Sequence, residues 1–279
     1  MRGIFFTADD LGISREANEA MVYAHVHGIL HGAALMMGQP GTDQGVDLAR
    51  QNPGLHVGFH LHLCDSLPLT LGCGGGGGSA TGSRADWPWG SDPARAGWAI
   101  GTQRSARLLA EAEIARQWQE FRARGLHCAF VNAHHHLHVH PFVMEMLRDI
   151  VGPECGDAWW RWGRPRWFGR KGLSARMASA GWALVRAMSH LPAGTHAPQT
   201  LWGIDRNFQM DAGEIKDVLQ TLKADFSAEP ATSDSVQDLK KPLHEFMFHP
   251  RHIHPDDKDL QTLLKLGANA GDVGAAFDS

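Results

Sequence analysis

The segment FVNAHHHLHVHP, residues 130–141, places five histidines within seven positions. They are His134, His135, His136, His138 and His140. If the segment is extended, the four even-numbered histidines share one face, because side chains alternate along a strand. Four charged imidazoles on one face would repel one another, so most are expected to be neutral and able to accept a metal. They cannot all reach one ion, and a histidine-rich turn without any metal is the alternative. Asn132 lies close enough in sequence to orient a ring by a hydrogen bond.

Two adjacent carboxylates, Asp9 and Asp10, end the strand-like run GIFFTADD. Neighbouring carboxylates are unfavourable unless a cation or a proton relieves their repulsion. The ends of parallel strands are where α/β active sites collect, so one aspartate could bind a metal while the other serves as a base. A turn that caps a helix is the alternative, and this segment alone does not decide between them.

Further histidines stand in or directly after apolar runs. His60 and His62 in VGFHLHL would point to the same side of a strand, as metal ligands or as hydrogen-bonded core residues. His249 follows the apolar run EFMF and precedes a proline, where it could act as a general acid or lie in a surface turn. One carboxylate with two imidazoles is a common ligand set for a catalytic divalent metal. Together these segments therefore predict a metal site at one end of a sheet.

Strand-like and helix-like runs alternate along the chain, which indicates βαβ units and a parallel sheet. Ser14 is a plausible N-cap for the first helix, and the clearest amphipathic helix covers 105–125. We therefore predict an α/β fold, a distorted (β/α) barrel resembling a TIM barrel, in one domain over residues 1–279. Two segments interrupt the alternation: a glycine-rich loop or lid at 71–93, and a basic, aromatic insertion at 157–200 with a helix near 173–190. The glycine run has no GK[ST] ending, which argues against a phosphate loop.

Composition narrows the classes of function. A net charge of −4 argues against a general nucleic-acid binder. The four cysteines form no CxxC pair, and no apolar run approaches the ~20 residues that cross a bilayer. No signal peptide is visible, so a cytoplasmic protein is expected, and peripheral contact with a membrane stays compatible with the sequence.

The motifs TADDLGIS, LHVGFHLHL, VNAHHHLHVHP and EFMFHP, in this order, resemble the YdjC-like carbohydrate deacetylases. The forms NAHHHLHVHP and LWGIDRNFQMD look most like the hopanoid-biosynthesis-associated branch of that family. The resemblance implies a distorted (β/α) barrel and metal-dependent removal of an acetyl group from an N-acetylated sugar or glycolipid, with a glycosylated hopanoid as one such substrate.

Carried over residue by residue, the resemblance assigns the metal ligands as Asp10, His60 and His134. It makes Asp9 the general base toward a metal-activated water and His249 the acid that protonates the departing amine. Arg164 matches a substrate-binding arginine of the family. His136 and His138 are expected either to contact the substrate or to orient His134. One divalent ion is expected, and the ligand set accommodates Mg, Zn, Mn, Ni or Co. A homo-oligomer is expected, while a metal-dependent phosphoesterase and a non-catalytic metal- or sugar-binding protein are the alternative functions.

Overall fold

The computed structural model describes residues 3–70, 87–169, 172–226 and 244–268. The strands are β1 (Ile4–Leu11), β2 (Gly32–Leu35), β3 (His56–Leu61), β4 (Phe130–Ala133), β5 (Trp159–Trp160), β6 (Arg164–Arg166), β7 (Thr200–Trp202) and β8 (His244–Phe248). The helices are α1 (Arg15–His27), α2 (Thr42–Gln51), α3 (Pro93–Thr102), α4 (Arg104–Ala123), α5 (Pro141–Ile150), α6 (Gly172–Ala187), α7 (Ala212–Phe226) and α8 (Lys258–Ala268).

The strands form one sheet of order β5-β4-β3-β2-β1-β8-β7-β6, and every pairing within it is parallel. The order is that of a (β/α) barrel left open between β5 and β6, so the sheet curls into a half-barrel. The predicted barrel-like α/β fold is confirmed. Because all strands run the same way, their carboxyl ends meet along one rim, and that rim receives the residues predicted to do chemistry.

Local sequence signals explain where several helices begin. Ser14 caps α1, its hydroxyl oxygen accepting the N–H of Ala17 at 3.2 Å, as the sequence predicts. Pro141 starts α5, where its missing N–H costs no hydrogen bond. The predicted helix at 105–125 is found as α4, and the helix of the basic insertion is found as α6.

The central strands pack as fully buried elements. Phe6, Phe59 and Phe246 are 0% exposed, and the rings of Phe6 and Phe246 stack with centroids 5.3 Å apart. Aromatic and aliphatic side chains of this kind contribute roughly 1.5–3 kcal/mol each on burial. The resulting core fixes the rim of the sheet on which the polar residues stand.

The glycine-rich loop predicted at 71–93 falls outside the described residues up to residue 86. Its last part is anchored: Trp87 and Trp89 stack at 5.4 Å and donate their indole N–H groups to Ser66 O and Leu63 O. The helix α3 then begins at Pro93 with Asp92 as its N-cap. Over the described part of the chain, we find no helix that is both long and apolar enough to span a bilayer.

Candidate active site and metal centre

The two adjacent aspartates reach the same place because the backbone turns between them. Successive residues of a regular strand point to opposite faces. Asp10 has a φ of +71°, and the register of β1 with β2 shifts between Ala8 and Leu11. As a result, both carboxylates are directed to the rim, where Asp9 is 2% exposed and Asp10 is 0% exposed.

Asp10 brings two histidines from separate strands together. Its Oδ1 atom lies 3.2 Å from His60 Nε2 and 2.8 Å from His134 Nδ1. His60 belongs to β3, and His134 directly follows β4. Ligand atoms of the three residues all lie within 4.8 Å of one another. The residues that the family resemblance assigns to the metal are thus adjacent.

The hydrogen bonds around this trio fit a metal centre. His60 Nδ1 lies 2.6 Å from Asn132 Oδ1, and this hydrogen bond directs the other ring nitrogen, Nε2, at Asp10. Metal-binding histidines generally use their second nitrogen in this way. His134 Nδ1 is directed at Asp10 Oδ1, and its buried Nε2 has no hydrogen-bond partner among the described residues. An N/O donor set with spacings near 3 Å suits a small divalent cation.

Charge is concentrated within the trio. Burial by itself raises the pKa of Asp10, but the adjacent rings of His134 and His60 outweigh it and hold that pKa well below its usual range. Burial lowers the pKa of His134, but the carboxylate of Asp10 outweighs it and leaves that pKa raised. The site therefore already stabilises a positive charge beside the Asp10 carboxylate.

Asp9 is held by an arginine that the sequence reasoning missed. The guanidinium of Arg161 makes a two-pronged ion pair with both Asp9 oxygens, one of them to Nη2 at 2.8 Å. Asn132 Nδ2 also donates to Asp9 Oδ1 at 2.9 Å. Burial raises the pKa of Asp9, but the Arg161 charge more than offsets this, and the pKa lies far below its ordinary value. Asp9 is therefore ionised at neutral pH.

Arg161 also binds a second buried carboxylate. Its Nε and Nη2 atoms lie 2.8 and 2.7 Å from Glu245 Oε1, which in turn accepts the hydroxyl of Thr7 at 2.8 Å. Arg161 and Glu245 are both 0% exposed. Burial raises the pKa of Glu245, only partly countered by Arg161 and Thr7. Glu245 and Thr7 thus hold the guanidinium of Arg161, which in turn positions the carboxylate of Asp9.

His249 lies half-buried after β8, on the same side of the sheet. Its backbone N–H donates to Asp259 Oδ2 at 2.6 Å, and its ring stands 5.3 Å from that of Phe208. Burial lowers the pKa of His249, while Asp10 and Asp9 raise it in part. Arg251, also missed by the sequence reasoning, stacks on Phe208 at 4.7 Å and donates to Asp10 Oδ2 at 3.3 Å.

The histidine segment is not extended, so the predicted sharing of one face by four histidines is wrong. β4 ends at Ala133, and His134–Val139 forms a 3₁₀ turn with His135 and His136 in the left-handed region. The chain must leave the sheet here and enter α5, and histidine tolerates this backbone region better than most residues. Only His134 is thereby directed at Asp10.

The other histidines of the segment have separate surroundings. His135 Nε2 lies 3.4 Å from the exposed carboxylate of Asp65, which is also 3.9 Å from His134 Nε2. The ring of His136 is half-buried, 6.1 Å from the ring of Trp182 in α6. His138 is 1% exposed and donates to the carbonyl oxygen of Arg161 at 2.6 Å, which fixes the backbone of that arginine.

Two further residues that the sequence analysis named as candidates, His62 and Arg164, lie apart from the trio. His62 is a buried core histidine that bonds Met37 O and Ser66 Oγ, both at 2.8 Å, and burial lowers its pKa to about 3. Arg164 lies exposed on β6, in register with Thr200. No contact between its side chain and the metal-site trio is found among the described residues.

Backbone strain marks the same region. Within the described residues, the non-glycine residues with positive φ are Asp10, Asp65, His135, His136 and Phe208. All of them belong to this site or pack against His249. Such conformations cost about 1–3 kcal/mol each and cluster at functional sites, where the surrounding structure holds them.

The sequence as a whole matches the family model described as YdjC-like protein over residues 3–269. The chain belongs to the YdjC-like protein family. Curated relatives in the comparison are named carbohydrate deacetylase. The one from Vibrio vulnificus (strain YJ016) is 31% identical over 149 residues, which is 53% of this chain and 54% of that protein. The one from Brevibacillus brevis is 30% identical over 148 residues, 53% of this chain and 55% of that protein. The chain thus spans about half the length of the curated relatives it matches.

A solved structure supports the fold independently. A protein from Enterococcus faecalis V583, provisionally named a cellobiose-phosphate cleavage protein, superimposes with a TM-score of 0.60 over 97% of this chain and 94% of that one. The two are 13% identical in sequence, so the likeness concerns the barrel-like fold and not the chemistry.

Replacing Arg161 with methionine is expected to destabilise this YdjC-like protein by about 3–5 kcal/mol at pH 7, because Asp9 and Glu245 would remain buried without a counter-charge. The depressed pKa of Asp9 stabilises the wild-type fold above the unfolded-state pKa, near 3.8. The variant lacks this stabilisation, and its unpaired buried carboxylates become less unfavourable when they are protonated at low pH. The difference in the free energy of unfolding between wild type and variant, measured in urea, should therefore be smaller at pH 5 than at pH 7.

Arg122→Met is the matched control for this measurement. Arg122 pairs with Glu154 at 2.6 Å on the surface, and their side chains are 57% and 39% exposed. Loss of such a pair costs less than about 1 kcal/mol. Equal destabilisation by the two variants would show that the buried ion pairs of Arg161 contribute no more to stability than a surface ion pair does.

Proposed function

We propose that the protein is a metal-dependent hydrolase that removes the acetyl group from an N-acetylated amino sugar, with the active site carried by one domain over residues 1–279. The observation that carries the proposal is the trio of Asp10, His60 and His134 beside a carboxylate, Asp9, that an arginine keeps ionised. Membership of the YdjC-like family and relatives named carbohydrate deacetylase point in the same direction.

In this proposal the trio holds one divalent cation. The donor set suits Mg, Zn, Mn, Ni or Co and does not choose among them. When bound, such a cation polarises an acetyl carbonyl and lowers the pKa of water. Arg251 limits the freedom of Asp10 by donating to its second oxygen, so that Oδ1 remains directed at both rings.

Asp9 is the base in this scheme. Arg161 keeps the carboxylate of Asp9 charged at neutral pH. The side chain of Asn132 donates to this carboxylate and also accepts the hydrogen bond that orients His60. Strong pairing with a cation also makes a carboxylate a weaker base. Asp9 therefore takes the proton of the attacking water and holds it only briefly.

His249 is the acid that protonates the departing amine. Amines are poor leaving groups, so proton delivery to nitrogen is needed as the C–N bond breaks. The hydrogen bond from its backbone to Asp259 fixes the start of the loop that carries this ring. The lowered pKa of His249 makes its protonated form a stronger acid but the minor form at neutral pH, so His249 must take up a proton before it acts.

The substrate is proposed to be an N-acetylated sugar or a glycolipid, and the resemblance to the hopanoid-associated branch suggests a glycosylated hopanoid. His136 and Arg164 are the proposed sugar contacts. His138 is proposed to act through its hydrogen bond to the Arg161 carbonyl, since it is almost fully buried.

Acetate release from N-acetylglucosamine conjugates tests the proposal. We expect release that a chelator abolishes and that one equivalent of a divalent metal restores. Hydrolysis of a phosphomonoester without acetate release would support a phosphoesterase instead. Metal or sugar binding without any turnover would indicate a non-catalytic binding protein.

A further inference from the structure

The helix α6 presents an apolar face to solvent. The long apolar side chains on this face and in the turn after it are among the most exposed in the described residues: Leu173 at 73%, Met177 at 67%, Leu184 at 65% and, directly after the helix, Met188 at 64%. Their spacing of four, seven and four positions places them in one stripe along the helix. Helices of soluble proteins normally carry polar residues on the outward face.

The opposite face of α6 rests on the protein beside the candidate active site. Trp182 stands 6.1 Å from the ring of His136, and Arg186 lies over the ring of Trp162 at 5.5 Å. Ser179 Oγ accepts the indole N–H of Trp167 at 2.9 Å. The exposed stripe therefore belongs to a helix that packs close to the histidine segment, and it is not the inner face of a detached helix.

The sequence segment that contains this stripe carries only positive charges, although one of them, Arg161, is buried in ion pairs. Residues 158–204 contain no aspartate or glutamate and seven lysines and arginines, although the whole chain carries a net charge of −4. Arg164, Arg166 and Arg176 are exposed. An exposed apolar stripe bordered by arginines is the composition of a helix that lies in a membrane interface and attracts anionic lipids.

We propose that α6 and the turn after it bind the surface of an anionic lipid bilayer, with the stripe of Leu173, Met177, Leu184 and Met188 inserted among the headgroups. The 16 residues of α6 are too few to span a bilayer, so the helix lies in the interface plane. The contact places the neighbouring active-site rim next to the membrane. Only its use for reaching a lipid-linked sugar rests on the proposed function; the membrane contact does not.

Co-sedimentation with vesicles tests the contact on the full chain. We expect binding to vesicles of phosphatidylcholine and phosphatidylglycerol, and much weaker binding to phosphatidylcholine alone, because the anionic lipid attracts the arginines. The variant L173S/L184S should bind the anionic vesicles at least about tenfold more weakly, since two apolar side chains no longer insert. The control V26S/L108S changes two apolar residues exposed by 56% and 52% elsewhere and should bind like the wild type.

Two results would overturn the proposal. The first is a failure of the vesicle assay: the wild type stays in the supernatant with anionic vesicles, or L173S/L184S sediments as the wild type does. The second is a wild type that forms a dimer in analytical ultracentrifugation and does not bind vesicles, while L173S/L184S is a monomer. In that case a second copy of the chain would cover the stripe. Acetate release from a water-soluble substrate is measured separately, so failure of the deacetylase proposal and failure of the membrane contact are distinguishable.

Discussion

Asp10→Ala is expected to lower the affinity for a divalent metal by more than about a hundredfold and the rate of deacetylation by about a thousandfold or more. The Oδ1 atom of Asp10 is the point at which His60 and His134 meet, at 3.2 and 2.8 Å. Without it, the site keeps two imidazoles, and the remaining carboxylate, Asp9, is already paired with Arg161. Metal content by mass spectrometry and titration calorimetry measure the first effect, and acetate release measures the second.

Asp65→Asn is the matched control for the metal measurement. Asp65, His134 and His135 form a second group of potential ligands, but Asp65 and His135 are exposed. The Asp65 carboxylate lies 3.9 Å from His134 Nε2, beyond hydrogen-bonding distance. Its loss should weaken metal binding by less than about tenfold. The reverse order of effects would place the ion in the outer group and contradict the assignment of the buried trio.

Asp9→Asn should reduce kcat by about 10²–10⁴ while leaving one equivalent of metal bound, because the variant loses the base but keeps the trio. An asparagine oxygen can still accept a hydrogen bond from Arg161, so the fold should survive. Acetate release, metal content and thermal unfolding on the same preparation separate these quantities. Unchanged kcat would exclude Asp9 as the base, and loss of the metal would make it a ligand.

Glu245→Gln controls for the change in charge around Arg161. Glu245 shares that arginine with Asp9 but bonds it from the other side, together with Thr7. Glutamine removes the same charge as Asp9→Asn does and keeps an oxygen for both donors. We therefore expect kcat to fall far less than in Asp9→Asn. A similar fall in both variants would mean that the charge balance around Arg161, not proton transfer by Asp9, limits the rate.

Sequence patterns predicted the alternation of strands and helices from β1 to β4, apart from α3, but the short strands β5, β6 and β7 lie where an insertion was predicted. Local signals were enough where they act within a few residues: Ser14 caps α1, Pro141 begins α5, and apolar spacing predicts α4. Parallel strands share one rim, so residues at strand ends could be expected near one another before any coordinates were known. The proximity of Asp10, His60 and His134 follows from that rule together with the family resemblance.

Which side chains face each other depends on packing between elements that are distant in sequence. Alternation along a strand directs Asp9 and Asp10 to opposite faces, and only the left-handed backbone at Asp10 brings both carboxylates to the rim. The histidine segment likewise turns where alternation predicted extension, because the chain must pass from β4 into α5. Left-handed backbone at a non-glycine residue is imposed by surrounding packing, which a local pattern does not record.

Arg161 is the clearest case of a residue that the sequence could not assign. It stands in an arginine- and tryptophan-rich stretch whose members look alike, yet it alone among the described ones is fully buried between two carboxylates, 152 and 84 positions away. Sequence spacing carries no information on pairs so distant, because their contact depends on how β5 and β8 lie in the curled sheet. The motifs determined which chemistry is available to the chain, and the packing of the barrel determined which residues are positioned to perform it.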